Sequence, residues 1–198
     1  MINKIRATIE SYERGTTFFA DSLTGYGSIA EVTEALDQLC KEEIIIRITD
    51  GFYCYPELLN RFGMKFQKPI INEVIWEVAR HRGVRLAPTA AYSENALMLS
   101  TQVQMRYVYL TDAESQEWKF YDTITVNLRQ FTDFDVFSFR SDLMQMIVIS
   151  LHHITQKWVT DVELGIIRKY LIHVTEEDFH HDLALSPEWI RNALLPMK

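Results

Sequence analysis

The chain has 198 residues, enough for one large domain or two small ones, with a formal net charge of −7. Apolar residues make up 47% and charged residues 24%, the balance of a well-packed globular protein. No apolar run approaches the roughly 18 residues that span a bilayer, and the acidic balance limits any nucleic-acid reading, since DNA binding usually leaves a basic footprint.

The amino terminus, Met1-Ile2-Asn3-Lys4-Ile5-Arg6, alternates charged and apolar residues and has no secretory apolar stretch. A first helix is predicted over 3–13, with Ile5, Ile9 and Tyr12 on one face and Gly15 after its end. A short helical segment, Thr17 to Leu23, follows, and the turn Thr24-Gly25-Tyr26-Gly27 leads to the clearest helix start in the chain. There Ser28-Ile29-Ala30-Glu31 has the spacing of a capping box, and Val32, Ala35, Leu36 and Leu39 give an apolar stripe reaching Lys41. The β-branched run Ile44–Ile48 predicts a strand, Thr49-Asp50-Gly51 a hairpin turn, and Phe52–Tyr55 the return strand, stopped by Pro56. Three helices followed by a two-stranded wing are the parts of a winged helix-turn-helix.

A second domain is predicted from residue 61. It holds an amphipathic helix at 69–82 (Val74, Ile75, Val78 and Ala79 inward), a strand at 84–88 and a helix at 92–99. Strands follow at 104–110, 117–121 and 123–129, the first alternating Val103, Met105, Tyr107 and Tyr109 on one side. Beyond Ser138 four helices are expected, at 140–156, 160–172, 175–182 and 186–195. Thr160 with Glu163 and Thr175 with Asp178 have the capping-box spacing, and Ser186-Pro187 opens the last helix. The expected fold class is therefore α+β. A winged helix-turn-helix domain occupies 1–60, and a mixed domain with a small antiparallel sheet and a helical carboxyl-terminal part occupies 61–198.

Motifs that carry chemistry are few. Cys40 and Cys54 fall short of a disulfide framework, suit a reducing cytoplasm and occupy core-like positions, so packing is their expected role. Neighbouring helical residues point about 100° apart, so neither His152-His153 nor His180-His181 presents two ligands to one metal from one face. Asp133-Phe134-Asp135 has a carboxylate spacing used for magnesium by nucleotidyltransferases, but lacks their upstream Gly-Ser turn and reads as an acidic loop. Arg80-His81-Arg82 falls at a helix end, where cations oppose the negative dipole. The sequence contains no P-loop, dinucleotide fingerprint, nucleophile elbow or zinc spacing. No enzymatic activity, metal or cofactor is expected.

The pieces together resemble the AbiEi-type antitoxins of bacterial type IV toxin–antitoxin systems, in particular the short regulator-like branch. The amino-terminal likeness rests on Gly15-Thr16-Thr17-Phe18, Asp21, Ala35-Leu36-Asp37-Gln38-Leu39 and Gly51-Phe52-Tyr53-Cys54-Tyr55-Pro56. The more specific likeness rests on Pro88-Thr89-Ala90-Ala91, Asn95-Ala96-Leu97-Met98-Leu99-Ser100-Thr101-Gln102-Val103 and Tyr109-Leu110-Thr111-Asp112, with Pro187-Glu188-Trp189 near the carboxyl end. The resemblance implies a cytoplasmic antitoxin and autorepressor. Its amino-terminal domain would bind double-stranded operator DNA, and its functional partner would be a nucleotidyltransferase-like toxin, with no direct contact assumed. Where family members carry arginine in the recognition helix this chain has Ile29 and Gln38, and Glu43 stands where they tend to have glycine before the wing.

On that reading Ser28, Thr33 and Gln38 face the major groove, glutamine being suited to adenine. Lys4, Arg14 and Lys41 are the phosphate candidates, and Arg47 in the wing is placed for the minor groove. Residues 1–56 hold five basic side chains (Lys4, Arg6, Arg14, Lys41, Arg47) against nine acidic ones, a net charge of −4. So few cations predict two to four phosphate contacts and weak salt dependence. Two other readings stand beside this one. The winged helix is a protein-interaction module, because an acidic recognition helix suits a basic partner or a dimer interface, or the second domain is a degenerate nucleotidyltransferase-related fold with residual nucleotide affinity.

Overall fold

The protein is described by a computed structural model covering residues 1–61 and 64–198. It is a mixed α+β fold that divides into two compact units, Met1–Arg82 with Trp118–Ile124, and Gly83–Glu117 with Thr125–Lys198. The expected boundary at residue 60 thus falls inside the first unit.

In that unit α1 spans Ile2–Glu10, β1 Thr17–Phe19, a 3-10 helix Ala20–Tyr26, α2 Ile29–Lys41, β2 Ile46–Thr49 and β3 Phe52–Cys54. The expected segment at 17–23 is split between a strand and the 3-10 helix. β1 pairs antiparallel with β3, giving a three-stranded sheet of order β1-β3-β2. Backbone bonds extend that pairing at both ends, from Tyr55 N to Thr16 O at 2.9 Å and from Ala20 N to Gly51 O at 2.8 Å. Gly51 makes the hairpin turn at φ +74, a conformation that a side chain rarely adopts. Ile5, Ile9, Leu36, Leu39, Ile45 and Tyr53 are all buried in one core, so the apolar stripes of α1 and α2 meet under the sheet.

The unit continues with β4 (Glu57–Arg61), β5 (Met64–Gln67) and α3 (Ile71–His81). β4 and β5 form a hairpin that the sequence reading did not anticipate. On α3, Glu77 accepts from the Thr17 hydroxyl at 3.1 Å, and His81 stacks on Phe19 with ring centroids 3.6 Å apart while reaching Asp21 at 3.0 Å. A register shift in the β2–β3 ladder lies between Arg47 and Thr49. The intervening Ile48 carbonyl accepts from the Tyr121 amide at 2.7 Å, so residues 118–124 are part of this unit.

The remaining strands are β6 (Leu86–Pro88), β7 (Tyr107–Thr111), β8 (Gln116–Phe120) and β9 (Ile124–Gln130), in the order β6-β7-β9-β8. The small sheet was expected to be antiparallel; instead β7 and β9 run parallel, Tyr107 opposite Val126. The β8–β9 hairpin turns at Tyr121 and Asp122, both at positive φ as a type I′ turn requires, and enters the sheet with β9 inward. Alternation cannot tell which strand of a hairpin will be the inner one. The strand expected from residue 104 begins only at Tyr107: Val103 and Met105 lie in irregular chain, 67% and 89% exposed.

Between β6 and β7 lies α4 (Ala90–Ala96); the chain ends with α5 (Asp142–Ile154), α6 (Asp161–Leu171), α7 (Glu176–Leu185) and α8 (Glu188–Leu194). α5 is the central helix, burying Met144, Ile147, Val148, Ile149 and Leu151. Ile167 and Leu171 of α6, Phe179 and Leu183 of α7, and Ile190 and Leu194 of α8 complete that core. Among the described residues no helix is long and apolar enough to cross a membrane.

Ser28 and Thr160 both form complete capping boxes, with Glu31 and Glu163. Thr175 caps α7 by accepting from Asp178 N at 3.1 Å without the reciprocal bond. Bonds from the Ser28 hydroxyl, then its backbone amide, hold the Glu31 carboxyl below its ordinary value of 4.5, and the Thr160 hydroxyl does the same for Glu163. A lowered carboxylate binds protons less readily in the folded state than in the unfolded one. Its contribution is therefore complete above the unfolded pKa and disappears as pH falls through the folded one. Wild-type helix content, followed by circular dichroism from pH 6 to pH 2, should fall in this acid range. E31Q/E163Q should start less stable at neutral pH and lose less; identical acid profiles would contradict the assignment.

Candidate nucleic-acid interface

α2 is built to present one face outward. Its capping box fixes where it begins, Val32, Ala35, Leu36 and Leu39 are buried, and Ile29, Glu34, Gln38 and Lys41 are exposed, Ile29 to 51%. The sequence-predicted residues do not all remain available on that face. Ser28 is occupied by the cap, its hydroxyl donating to Glu31 at 2.8 Å. Thr33 is half-buried and donates to the Ile29 carbonyl at 2.8 Å, a back-bond within its own helix. Gln38 is exposed but its amide donates to Glu42 at 3.0 Å. Lys41 is exposed with no ionic partner among the described residues.

The cations off the helix divide in the same way. Arg47 on β2 forms an ion pair with Asp37 of α2, and that bond raises the guanidinium pKa further. Arg14 donates to the Pro56 carbonyl at 3.0 Å and lies over the Tyr55 ring at 4.5 Å. Arg6 of α1 is paired with Glu42. Lys4 is exposed on α1 and, among the described residues, has no ionic partner. Of the five basic side chains in residues 1–56, Lys4 and Lys41 are thus the ones the fold leaves uncommitted.

Two acidic residues outside the predicted set of DNA contacts hold cations on this surface. Glu42 accepts from Gln38 and Arg6, and those bonds hold its carboxyl below the ordinary range. Asp37 holds Arg47. The Gln38–Glu42 contact was legible as an i, i+4 pair on one helix. The Arg6 and Arg47 pairs join residues 36 and 10 apart in sequence, with no local signal.

The cysteines have no part in a surface site. Burial pushes the Cys40 thiol up to about 11 and the Cys54 thiol up to about 12, so both stay protonated and poorly nucleophilic. The paired histidines of the second unit face carboxylates: His152 and Asp133 at 3.4 Å, His153 and Glu94 at 2.6 Å, His180 and Glu176 at 3.6 Å, His181 and Asp182 at 2.8 Å. Asp135 accepts from Ser138 at 2.6 Å, within the acidic loop that follows β9.

The stretch from Pro88 to Val103 runs from the end of β6 through α4 into an exposed loop. Thr89 caps α4, Asn95 donates to the Ser100 carbonyl at 3.3 Å, and Gln104 is bonded to Thr89 and to the carbonyls of Arg106 and Val108. The loop is thus fastened by side chains while Met98 and Val103 face solvent.

These features define a mixed α+β protein with a capped, outward-facing helix above a small sheet. Over residues 4–179 the chain matches the family of unknown function DUF6088, and it belongs to that family. No curated protein and no solved structure matches it.

Proposed function

We propose that the protein is an antitoxin-like transcriptional regulator of the AbiEi type whose first unit is a winged helix, binding operator DNA through α2. The observation that carries the reading is the chain order α1, β1, 3-10 helix, α2, β2, β3 with sheet order β1-β3-β2. That order, three helical segments ahead of a hairpin, supports the reading, on which the hairpin is the wing and the capped α2 the recognition helix. The likeness of residues 88–103 to the antitoxin family supports the same reading for the second unit, with repression of its own operon as the function in the cytoplasm.

On this reading the electrostatics predict weak, weakly salt-dependent DNA binding. Lys4 and Lys41, with Arg14 once it leaves Pro56, supply two or three phosphate contacts, so the slope of log K against log salt should be about −2 to −3. The measurement is a gel shift on the DNA upstream of the protein's own gene, repeated over a salt series. No shift at the lowest salt would sink operator binding; a slope near −6 would sink this set of contacts. One observation favours a second reading, a protein partner: Arg6 and Arg47 are spent on Glu42 and Asp37, and α2 keeps Glu34 exposed. A basic partner would fit that face, and on this reading the gel shift is absent at every salt concentration.

A further inference from the structure

Among the described residues, α6 has an outward face without a partner. Val162 and Ile172 are 70% and 74% exposed, and Trp158, just before the helix, is 68% exposed. Asp161, Val162, Gly165, Arg168, Lys169 and Ile172 recur at spacings of three and four, opposite the buried Ile167 and Leu171, so they share the outer surface. A Cβ added at Gly165 would meet nothing within 4 Å among the described residues, so none of them requires glycine there. Glycine in a helix interior costs about 1 kcal/mol relative to alanine, and its use at an open position is explained by a backbone that must approach a neighbour closely.

The charges on this face are arranged along the helix. Asp161 lies four residues before Gly165 and Lys169 four after it; Val162 and Arg168 lie three before and three after, and Trp158 and Ile172 seven before and seven after. An antiparallel copy of α6, related by a two-fold axis through Gly165, therefore meets this face in register. Asp161 faces Lys169 of the second copy, and Val162 the aliphatic stem of its Arg168. Each contact occurs twice, as an isologous interface requires.

We propose that the protein forms a symmetric homodimer through antiparallel packing of α6 on α6. Asp161 and Lys169 make the helix self-complementary in charge about Gly165, which selects a second copy over an unrelated partner. Glu163 is occupied by the capping box and stays out of the interface. A single helix crossing lies at the small end of specific interfaces, so the dimer depends on protein concentration.

Sedimentation equilibrium of the full-length protein across a wide concentration range tests this. The wild type should pass from monomer to dimer. K169E should weaken association by about tenfold or more through two like-charge contacts, and D161K/K169E, which exchanges the charges, should restore it to within about threefold of wild type. G165A separates the interface from folding: it should raise the thermal midpoint of the monomer, because alanine favours helix, while weakening the dimer. A monomer at every concentration overturns the proposal. So does a dimer indifferent to K169E and G165A, and so does a folded D161K/K169E protein that fails to regain association.

Discussion

Replacing Asp182 with alanine is expected to lower the unfolding free energy by about 2–5 kcal/mol. Asp182 is wholly buried on α7, yet its carboxylate is satisfied from three sides. It accepts from the backbone N–H of Arg140 at 2.8 Å and of Ser141 at 2.9 Å, and is bonded to the His181 ring at 2.8 Å. Ser141 is the N-cap of α5, so the carboxylate takes the last two amides before the central helix begins. Alanine leaves both part-buried amides without their acceptor. Asparagine keeps one acceptor and puts a donor against the other amide, so D182N should lose about half as much. Urea denaturation followed by circular dichroism measures both. A loss below about 1 kcal/mol for D182A would mean that water or a rearranged side chain takes over the two bonds.

The second large effect concerns function. D37N/E42Q should strengthen DNA binding by at least about tenfold at low salt and steepen the salt slope by about two, because it removes two negative charges and releases Arg47 and Arg6. Both pairs lie at the surface, so their loss should cost little stability. The same protein separates the two readings of α2. If α2 binds DNA, affinity rises; if it binds a basic protein, loss of the two carboxylates weakens that interaction and no DNA shift is gained. The proposal for α2 fails if the gel shift of D37N/E42Q is no stronger than that of wild type.

What was legible in the sequence follows physical scale. Capping boxes, apolar stripes and the Asp50-Gly51 turn are local, so α2, the β2–β3 hairpin and the four carboxyl-terminal helices were readable from neighbours alone. β1 is three residues long and shows no period, and its pairing with β3 depends on chain more than 30 residues away. The alternation at 103–109 suggested a longer strand than exists. Gln104 instead donates its side-chain amide to the carbonyls of Arg106, just before the strand, and of Val108, within it. The candidate site was half legible: the outward helix and its exposed positions were, but the capture of Arg6, Arg14 and Arg47 by acidic, aromatic and backbone groups was not. Such captures are decided by tertiary packing.

The bond from the Tyr121 amide to the Ile48 carbonyl has a bearing on how the molecule is made. A polypeptide leaves the ribosome in order, and a domain completes its fold only when its last segment has emerged. The first unit needs Trp118–Ile124, where Phe120 is fully buried, Tyr121 donates to the Pro69 carbonyl at 3.2 Å and Arg82 lies over Trp118 at 4.9 Å. The helix and hairpin proposed to read DNA are therefore translated early but finished late. A nascent chain released before residue 124 carries that surface on an incomplete unit, and the wait before it can act is written into its topology.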